Sequence, residues 1–180
     1  VPLLIETMYH KIWANIRKNG MEKMVKKALA ASNASRKIGI DLRKKLFSEI
    51  HETFGGKLRM MIAGGAAVDP DILKGLRDFG ILAVQGYGLT ECAPLAAVNR
   101  DKFYCDSSAG LATPNATLEI VDAAEDGTGD IRFKGENIML GYYKAPELTA
   151  EVIVDGWLYT GDLGFIDKDG FLHITGRRKN

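Results

Sequence analysis

Two short glycine-rich stretches carry the residue types best suited to ligand binding. The first, QGYGLTE at 85–91, follows the apolar run 81–84 directly, and the second, YTGDLG at 159–164, sets an aspartate between glycines. Glycine lets another group approach the backbone closely. In open α/β sheets, ligands bind where strands end at their carboxyl side. The first stretch therefore predicts a strand that ends in a ligand-binding loop.

A second loop of this kind is predicted at AGGAAV, 63–68, after a short apolar run. The segment between the two loops has the signals of a helix: Asp69 as N-cap, Pro70 at the first helical position and Gly80 just past the end. A strand–helix–strand unit predicts a parallel pair with a right-handed crossover. Both glycine loops should then lie at the same sheet edge.

The rest of the chain shows a change of periodicity. Helical spacing of apolar residues over 5–54 predicts two or three amphipathic helices, with a loop at Ser32–Ser35. After about residue 104, short alternating runs at 117–122, 129–135, 163–167 and 171–176 predict antiparallel strands. The predicted fold class is α/β, with helices on a mainly parallel sheet in a domain 1–104 and a smaller antiparallel β subdomain at 105–180.

Composition excludes several classes of protein. The 180 residues are 46% hydrophobic and 26% charged, which is typical of globular domains. Lys and Arg number 24 against 23 Asp and Glu, so no overall field favours nucleic acid, and solvated faces are the favoured interpretation of the basic helices. No stretch approaches the ~20 apolar residues of a transmembrane helix. Two cysteines, Cys92 and Cys105, fit a reducing compartment and core packing, which favours a cytoplasmic location.

The stretches AGGAAV, QGYGLTE, YTGDLG and GRRKN (176–180), in this order, resemble the adenylate-forming superfamily of acyl-CoA synthetases, adenylation domains and luciferases. The segment VPLLIETMYHKI and the helical stretch after it are most similar to the long-chain fatty acid branch. The resemblance implies part of the large domain of an acyl-CoA synthetase-like fold. It also implies a ligase that uses ATP, Mg²⁺ and coenzyme A. Such an enzyme first forms an acyl-adenylate from a fatty acid and then a thioester with coenzyme A.

The resemblance assigns nucleotide and metal roles to the first two motifs. Glu91 would be the Mg²⁺ ligand, and Thr90 would bond the α-phosphate, so these two are the predicted catalytic residues. Tyr87 would stack on adenine, and Gly86 beside it would also contact the nucleotide. Backbone at Gly64, Gly65 and Ala66 would approach the adenine edge. Each residue also has a simpler interpretation. Glu91 could be a solvated loop residue, Thr90 could make a local turn bond, and Tyr87 could serve core packing. The glycines at 64–65 could form an ordinary strand-to-helix turn.

The later motifs receive ribose, hinge and acyl roles. Asp162 would accept hydrogen bonds from both ribose hydroxyls, with a turn residue as the alternative. Arg177 would also reach the ribose, and Lys179 matches the hinge about which a small carboxy-terminal domain rotates. Gly88 would line the acyl pocket, because a side chain there would occupy the path of the acyl chain.

Two departures from the family pattern limit the prediction. Nothing matches the Ser/Thr/Gly-rich phosphate loop, and the catalytic lysine beyond the hinge would follow residue 180. We therefore expect the central piece of a longer enzyme that needs its amino- and carboxy-terminal parts and is inactive alone. Two alternatives stay open for function: an adenylation domain that loads a carrier protein, and a non-catalytic nucleotide-binding module. A peripheral membrane association stays open for location.

Overall fold

The computed structural model describes residues 2–178. The contacts divide the chain into two compact units, residues 1–84 and 85–180, and the strand β2 (Leu82–Tyr87) runs across the division. Helices and strands are both present in quantity, which confirms the α/β class. None of the helices within the described part of the chain is long and apolar enough to cross a bilayer.

The first unit is mainly helical. Its elements are α1 (Pro2–Lys18), α2 (Glu22–Arg36), α3 (Arg43–Leu46), α4 (Ser48–Thr53), β1 (Met60–Ala63), α5 (Pro70–Asp78) and the start of β2. Strands β1 and β2 are neighbours in one sheet and are joined through α5, as the strand–helix–strand pattern predicts. Two apolar clusters form its core, one around Leu73 and Leu76 and one around Phe47 and Phe79.

Helix α5 begins and ends where the sequence predicts. The Asp69 carboxylate accepts a hydrogen bond from the Asp71 amide at 2.9 Å, which satisfies one of the donors left open in the first turn. Leu73, Leu76 and Phe79 recur at helical spacing and are all fully buried. Gly80 follows with a φ of +91°, a conformation that glycine adopts at little cost.

The predicted loop at Ser32–Ser35 is wrong, because α2 continues through it to Arg36. The Ser35 hydroxyl donates to the carbonyl oxygen of Ser32 at 2.9 Å, so this polar side chain bonds within the helix instead of breaking it. Ser32 is fully buried. The chain leaves the helix only at Lys37, and Gly39 then takes a φ of +83°.

The second unit is mainly antiparallel. Beyond the end of β2 its elements are a 3₁₀ turn (Thr90–Cys92), β3 (Ala97–Val98), β4 (Leu111–Ala112), β5 (Ala116–Val121), β6 (Gly129–Gly135), α6 (Pro146–Val152), β7 (Ile153–Val154), β8 (Trp157–Ile166) and β9 (Leu172–Arg177). The sheet order is β5-β6-β8-β7, with β9 on β8. The four alternating runs in the sequence therefore correspond to β5, β6, β8 and β9, as predicted.

Alternation explains how this sheet forms its core. Ile131 and Phe133 lie two residues apart on β6 and are fully buried, whereas Lys134 is exposed. They pack in one cluster with Leu158 of β8 and Leu172 of β9. The turn between β8 and β9 closes at Gly170, where φ is +87°. The hairpin thus carries the YTGDLG motif on a strand anchored by buried neighbours.

Two details differ from the predicted layout. The end of β2 pairs with β3, and β3 with β4, in antiparallel fashion, so the expectation of a mainly parallel sheet does not hold for these pairings. Strands of two residues leave no periodicity for a sequence pattern to detect. The contact division between 84 and 85 also falls before the predicted boundary at 104/105, because Asn99 and Ser108 bond to Gln85. The division into an α/β part at 1–104 and an antiparallel β subdomain at 105–180 stays a prediction.

The Asp69 cap gives a first testable prediction. In the full-length protein, Asp69→Ala should destabilise α5 by about 1 kcal/mol and accelerate hydrogen exchange of its amides roughly fivefold. Asp71→Ala removes an acidic residue of the same turn without removing the cap, and it should accelerate exchange less than Asp69→Ala does. Equal exchange rates in the two variants would contradict the capping role of Asp69.

Candidate functional site

The two glycines of QGYGLTE are explained by the chain's own backbone. Gly86 pairs with Val98, and an added Cβ would lie 2.9 Å from the carbonyl oxygen of Ala97. At Gly88 an added Cβ would overlap the carbonyl group of Pro94. The close approach predicted from the glycines is thus present, and the group that approaches is the segment 94–98. The predicted nucleotide contact at Gly86 and acyl contact at Gly88 stay predictions.

Tyr87 and Asp162, one from each motif, form a direct hydrogen bond. The Tyr87 hydroxyl donates to Oδ2 of Asp162 at 2.5 Å, although the residues lie 75 positions apart in sequence. Tyr87 is 9% exposed and belongs to the apolar core of the second unit. Burial raises the pKa of the Tyr87 hydroxyl, and the bond to the carboxylate raises it further, so this group stays a protonated donor.

The backbone around Asp162 is held by a second set of bonds. The Thr160 hydroxyl donates to the carbonyl oxygen of Ile131 at 2.9 Å and accepts from the Asp162 amide at 3.1 Å. Across the hairpin Asp162 pairs with Arg177, whose Nε lies 3.7 Å from Oδ1. The Arg177 side chain is 76% exposed, so this ion pair contributes little to stability. Its guanidinium is available to a ligand at the carboxylate.

Glu91 forms the second polar group of the site. Its Oε1 accepts a hydrogen bond from the Tyr142 hydroxyl at 2.7 Å, and its carbonyl oxygen accepts from the Met139 amide at 2.8 Å. The bond to the carboxylate raises the pKa of Tyr142. Thr90, one residue earlier, is exposed. The segment before α6 therefore positions the predicted metal ligand.

Sequence reasoning missed Tyr142 and Asn137, which both support the loop after β2. The Asn137 amide nitrogen donates to the carbonyl oxygens of Cys92 and Leu95, at 2.6 Å and 3.0 Å. These contacts join positions more than 40 residues apart, 45 and 42 for Asn137 and 51 for Tyr142. Local periodicity carries no signal for contacts of that range.

The remaining predicted residues lie elsewhere. Gly64, Gly65 and Ala66 belong to the first unit and follow β1; Gly65 has a φ of +90° and is exposed. Their contact with adenine stays a prediction. Lys179 lies outside the described residues, so its hinge role also stays a prediction. Arg178 before it places Nη1 2.9 Å from Oδ2 of Asp130.

Comparison with known proteins identifies a family for this chain and several relatives of its sequence. Residues 4–143 match the family of AMP-binding enzymes. A long-chain-fatty-acid–CoA ligase of Salmonella typhimurium is 45% identical over 107 residues, 56% of this chain and 19% of that protein. Long chain acyl-CoA synthetase 1 of Arabidopsis thaliana is 36% identical over 144 residues, 74% of this chain and 22% of the relative.

Solved structures agree with the sequence matches. The anthranilate CoA ligase AuaEII in complex with anthranoyl-AMP superposes with a TM-score of 0.61 at 25% identity, over 68% of this chain and 25% of that one. The chain thus spans about a fifth of the length of the curated relatives it matches, 19% and 22%. Since the family match extends over more than half of the chain, and includes the loop that carries Tyr87 and Glu91, this chain belongs to the family of AMP-binding enzymes.

Proposed function

We propose that this chain is the central part of an ATP-dependent ligase that activates a long-chain fatty acid as an acyl-adenylate and transfers it to coenzyme A. Family membership supports the nucleotide, and the fatty-acid ligases among the relatives support the acid. The observation that carries the proposal is the hydrogen bond between Tyr87 and Asp162, since it joins the two motifs that the resemblance assigns to one nucleotide.

The reaction runs in two steps. A carboxylate oxygen of the fatty acid attacks the α-phosphorus of ATP, and pyrophosphate leaves. The sulfur of coenzyme A, which loses its proton, then attacks the acyl carbon, and AMP leaves with the electron pair of the broken C–O bond. The first step brings two anionic groups together, so the site must hold the nucleotide in position and offset negative charge.

Asp162 is suited to hold the ribose. A carboxylate offers about four acceptor positions, and Tyr87 occupies one of them on Oδ2. Ribose hydroxyls can donate to the positions that remain, and the exposed Arg177 side chain lies close enough to reach a nucleotide at Oδ1. Because the Asp162 side chain is only 13% exposed, bonds to its charge are shielded from water and are correspondingly strong.

Glu91 and Thr90 are suited to the phosphates. Carboxylate oxygen is the ligand that Mg²⁺ prefers, and the ion commonly takes one or two carboxylates together with waters and substrate phosphates. Tyr142 fixes one oxygen of Glu91, which orients the carboxylate for such an ion. Bound there, Mg²⁺ would offset the charge of the polyphosphate. The exposed Thr90 hydroxyl would donate to the α-phosphate.

Two further proposed roles concern adenine stacking on Tyr87 and an acyl contact at Gly88. Adenine stacking on Tyr87 needs an open ring face, and a residue that is 9% exposed offers little of one, so its contribution through Asp162 is the better supported role. Gly88 is proposed as part of an acyl pocket. The backbone of Pro94 is nevertheless a sufficient reason for a glycine there.

The proposal is tested by ATP–pyrophosphate exchange in the full-length protein with carboxylic acids of graded chain length. We expect exchange that depends on Mg²⁺ and is fastest with long-chain acids, followed by thioester formation with coenzyme A. Exchange without acyl transfer to coenzyme A would favour a carrier-loading adenylation domain. Nucleotide binding without exchange for any acid would contradict the proposal and favour a non-catalytic module.

Replacement of Asp162 tests the ribose contact. Charge-assisted hydrogen bonds contribute about 1.5–3 kcal/mol each. Asp162→Ala should therefore weaken ATP binding and slow ATP–pyrophosphate exchange by about tenfold or more. Tyr87→Phe should raise the KM for ATP by a smaller factor, because it removes only the group that orients the carboxylate. Asp169→Asn, in the turn of the same hairpin, is the matched control. Unchanged ATP binding in Asp162→Ala would contradict the assignment.

Replacement of Glu91 tests the metal contact. Glu91→Gln keeps the shape and removes the charge, so exchange should fall and recover in part when Mg²⁺ is raised. Tyr142→Phe should also raise the Mg²⁺ concentration that exchange requires, but by a smaller factor than Glu91→Gln does. Glu147→Gln, an exposed residue of α6, should leave the Mg²⁺ dependence unchanged. A Glu91→Gln defect that is insensitive to Mg²⁺ would argue against a metal ligand at this position.

A further inference from the structure

A group of metal-ligating side chains lies apart from the nucleotide site. Within the described residues, one set of three meets the distances for shared metal binding: Cys105, Asp167 and His173. Their candidate ligand atoms all lie within 4.8 Å of one another. Asp167 and His173 stand at the turn end of the β8–β9 hairpin, whereas Asp162 and Arg177 pair at its other end. The proposed ligase reaction uses none of the three.

The carboxylate of Asp167 is held in a fixed orientation. Its Oδ1 accepts hydrogen bonds from the amides of Asp169 at 3.0 Å and Phe171 at 2.9 Å. Its Oδ2 is directed to Nε2 of His173 at 2.9 Å. The bond to His173 is also the main reason that the pKa of Asp167 lies below its usual range. Backbone donors of this kind orient carboxylate ligands in metal sites.

The imidazole of His173 is constrained as well. Its ring stacks on that of Phe165, with the centroids 4.6 Å apart and the planes 5° from parallel. The His173 side chain is 17% exposed and that of Asp167 is 26% exposed, so an ion from solvent can reach both. The pair is therefore nearly rigid and yet accessible.

Cys105 is brought to this pair by a buried polar network. Its amide donates to Oδ1 of Asn99 at 2.9 Å, and its carbonyl oxygen accepts from the Ser108 hydroxyl at 2.8 Å. Asn99 and Ser108 are 3% and 0% exposed. Cys105 itself is half-buried, in contrast to Cys92, which is fully buried as core packing predicts. A thiol held at the edge of such a network is placed more firmly than one on a free loop.

We propose that Cys105, Asp167 and His173 bind a zinc-type divalent ion through sulfur, oxygen and nitrogen. Thiolate, imidazole and carboxylate are the ligands that Zn²⁺ takes in proteins, and a water would complete a tetrahedral set. Tetrahedral bonds of the usual lengths put ligand atoms about 3.3–3.6 Å apart. The Asp167–His173 pair would open by a few tenths of an ångström from 2.9 Å, and the thiol would close on it.

Binding has a defined consequence for the fold. The Cys105 thiol loses its proton, and the ion replaces the hydrogen bond between Asp167 and His173. It then links the segment after β3 to the β8–β9 hairpin, next to the backbone bonds between Ala109, Gly110 and Leu172. The ion is a structural link in this proposal and takes no part in adenylation.

Cobalt substitution tests the site in the full-length protein, with the metal itself as the probe. Co²⁺ added in stoichiometric amount should give a tetrahedral visible spectrum with a thiolate charge-transfer band, and Zn²⁺ should displace it. Cys105→Ser should abolish the charge-transfer band. His173→Gln should weaken Zn²⁺ binding by about tenfold or more, because loss of an outer-shell partner alone already costs roughly tenfold. Cys92→Ala and His10→Gln serve as matched controls, and each should retain the charge-transfer band and the Zn²⁺ affinity of the unsubstituted protein.

Thermal unfolding provides a second measurement that does not depend on activity. Zn²⁺ should raise the Tm of the unsubstituted protein and of Cys92→Ala, and it should not raise that of Cys105→Ser. A charge-transfer band that persists in Cys105→Ser, or no such band in the unsubstituted protein, would overturn the proposal. Failure of ATP–pyrophosphate exchange would leave these results unaffected, because the two sites share no residue.

Discussion

One part-buried hydrogen bond, from Tyr87 at the end of β2 to Asp162 on β8, connects the apolar core of the second unit to its polar site. A buried hydroxyl without a partner is costly, and a carboxylate taken out of water is costlier still. The Tyr87 hydroxyl supplies a donor for the carboxylate, and the Asp162 carboxylate supplies an acceptor for the hydroxyl. The cluster of apolar residues around Tyr87 can therefore close without leaving the Tyr87 hydroxyl unpaired. The bond also puts two motifs 75 residues apart into one site.

The backbone around Tyr87 follows from the same arrangement. The segment 94–98 lies against Gly86 and Gly88, on either side of the tyrosine, so closely that side chains there would collide with it. Asn137 holds that segment through the carbonyl oxygens of Cys92 and Leu95. The glycines consequently serve packing, whatever they also contribute to ligand binding.

The sequence predicts elements well where the signal is local and poorly where it is not. Asp69, Pro70 and Gly80 delimit α5, and alternation identifies β5, β6 and the β8–β9 hairpin. Ser32–Ser35 misleads, because serine hydroxyls can bond to the helix they interrupt. The partners of the predicted site residues, Tyr142 and Asn137, could not be found, since contacts over 42–51 positions depend on tertiary packing.

The β8–β9 hairpin connects the two sites through its register. The pairing shifts between Leu163 and Gly164, so that Asp162 opposes Arg177 on one side of the irregularity and Phe165 opposes His173 on the other. Bulges of this kind bend a strand and redirect its side chains, and they are common next to functional sites. An added Cβ at Gly164 would overlap the carbonyl oxygen of His173. A glycine at this position thus permits the register in which Asp162 opposes Arg177 and Phe165 opposes His173, and both proposed sites depend on that register.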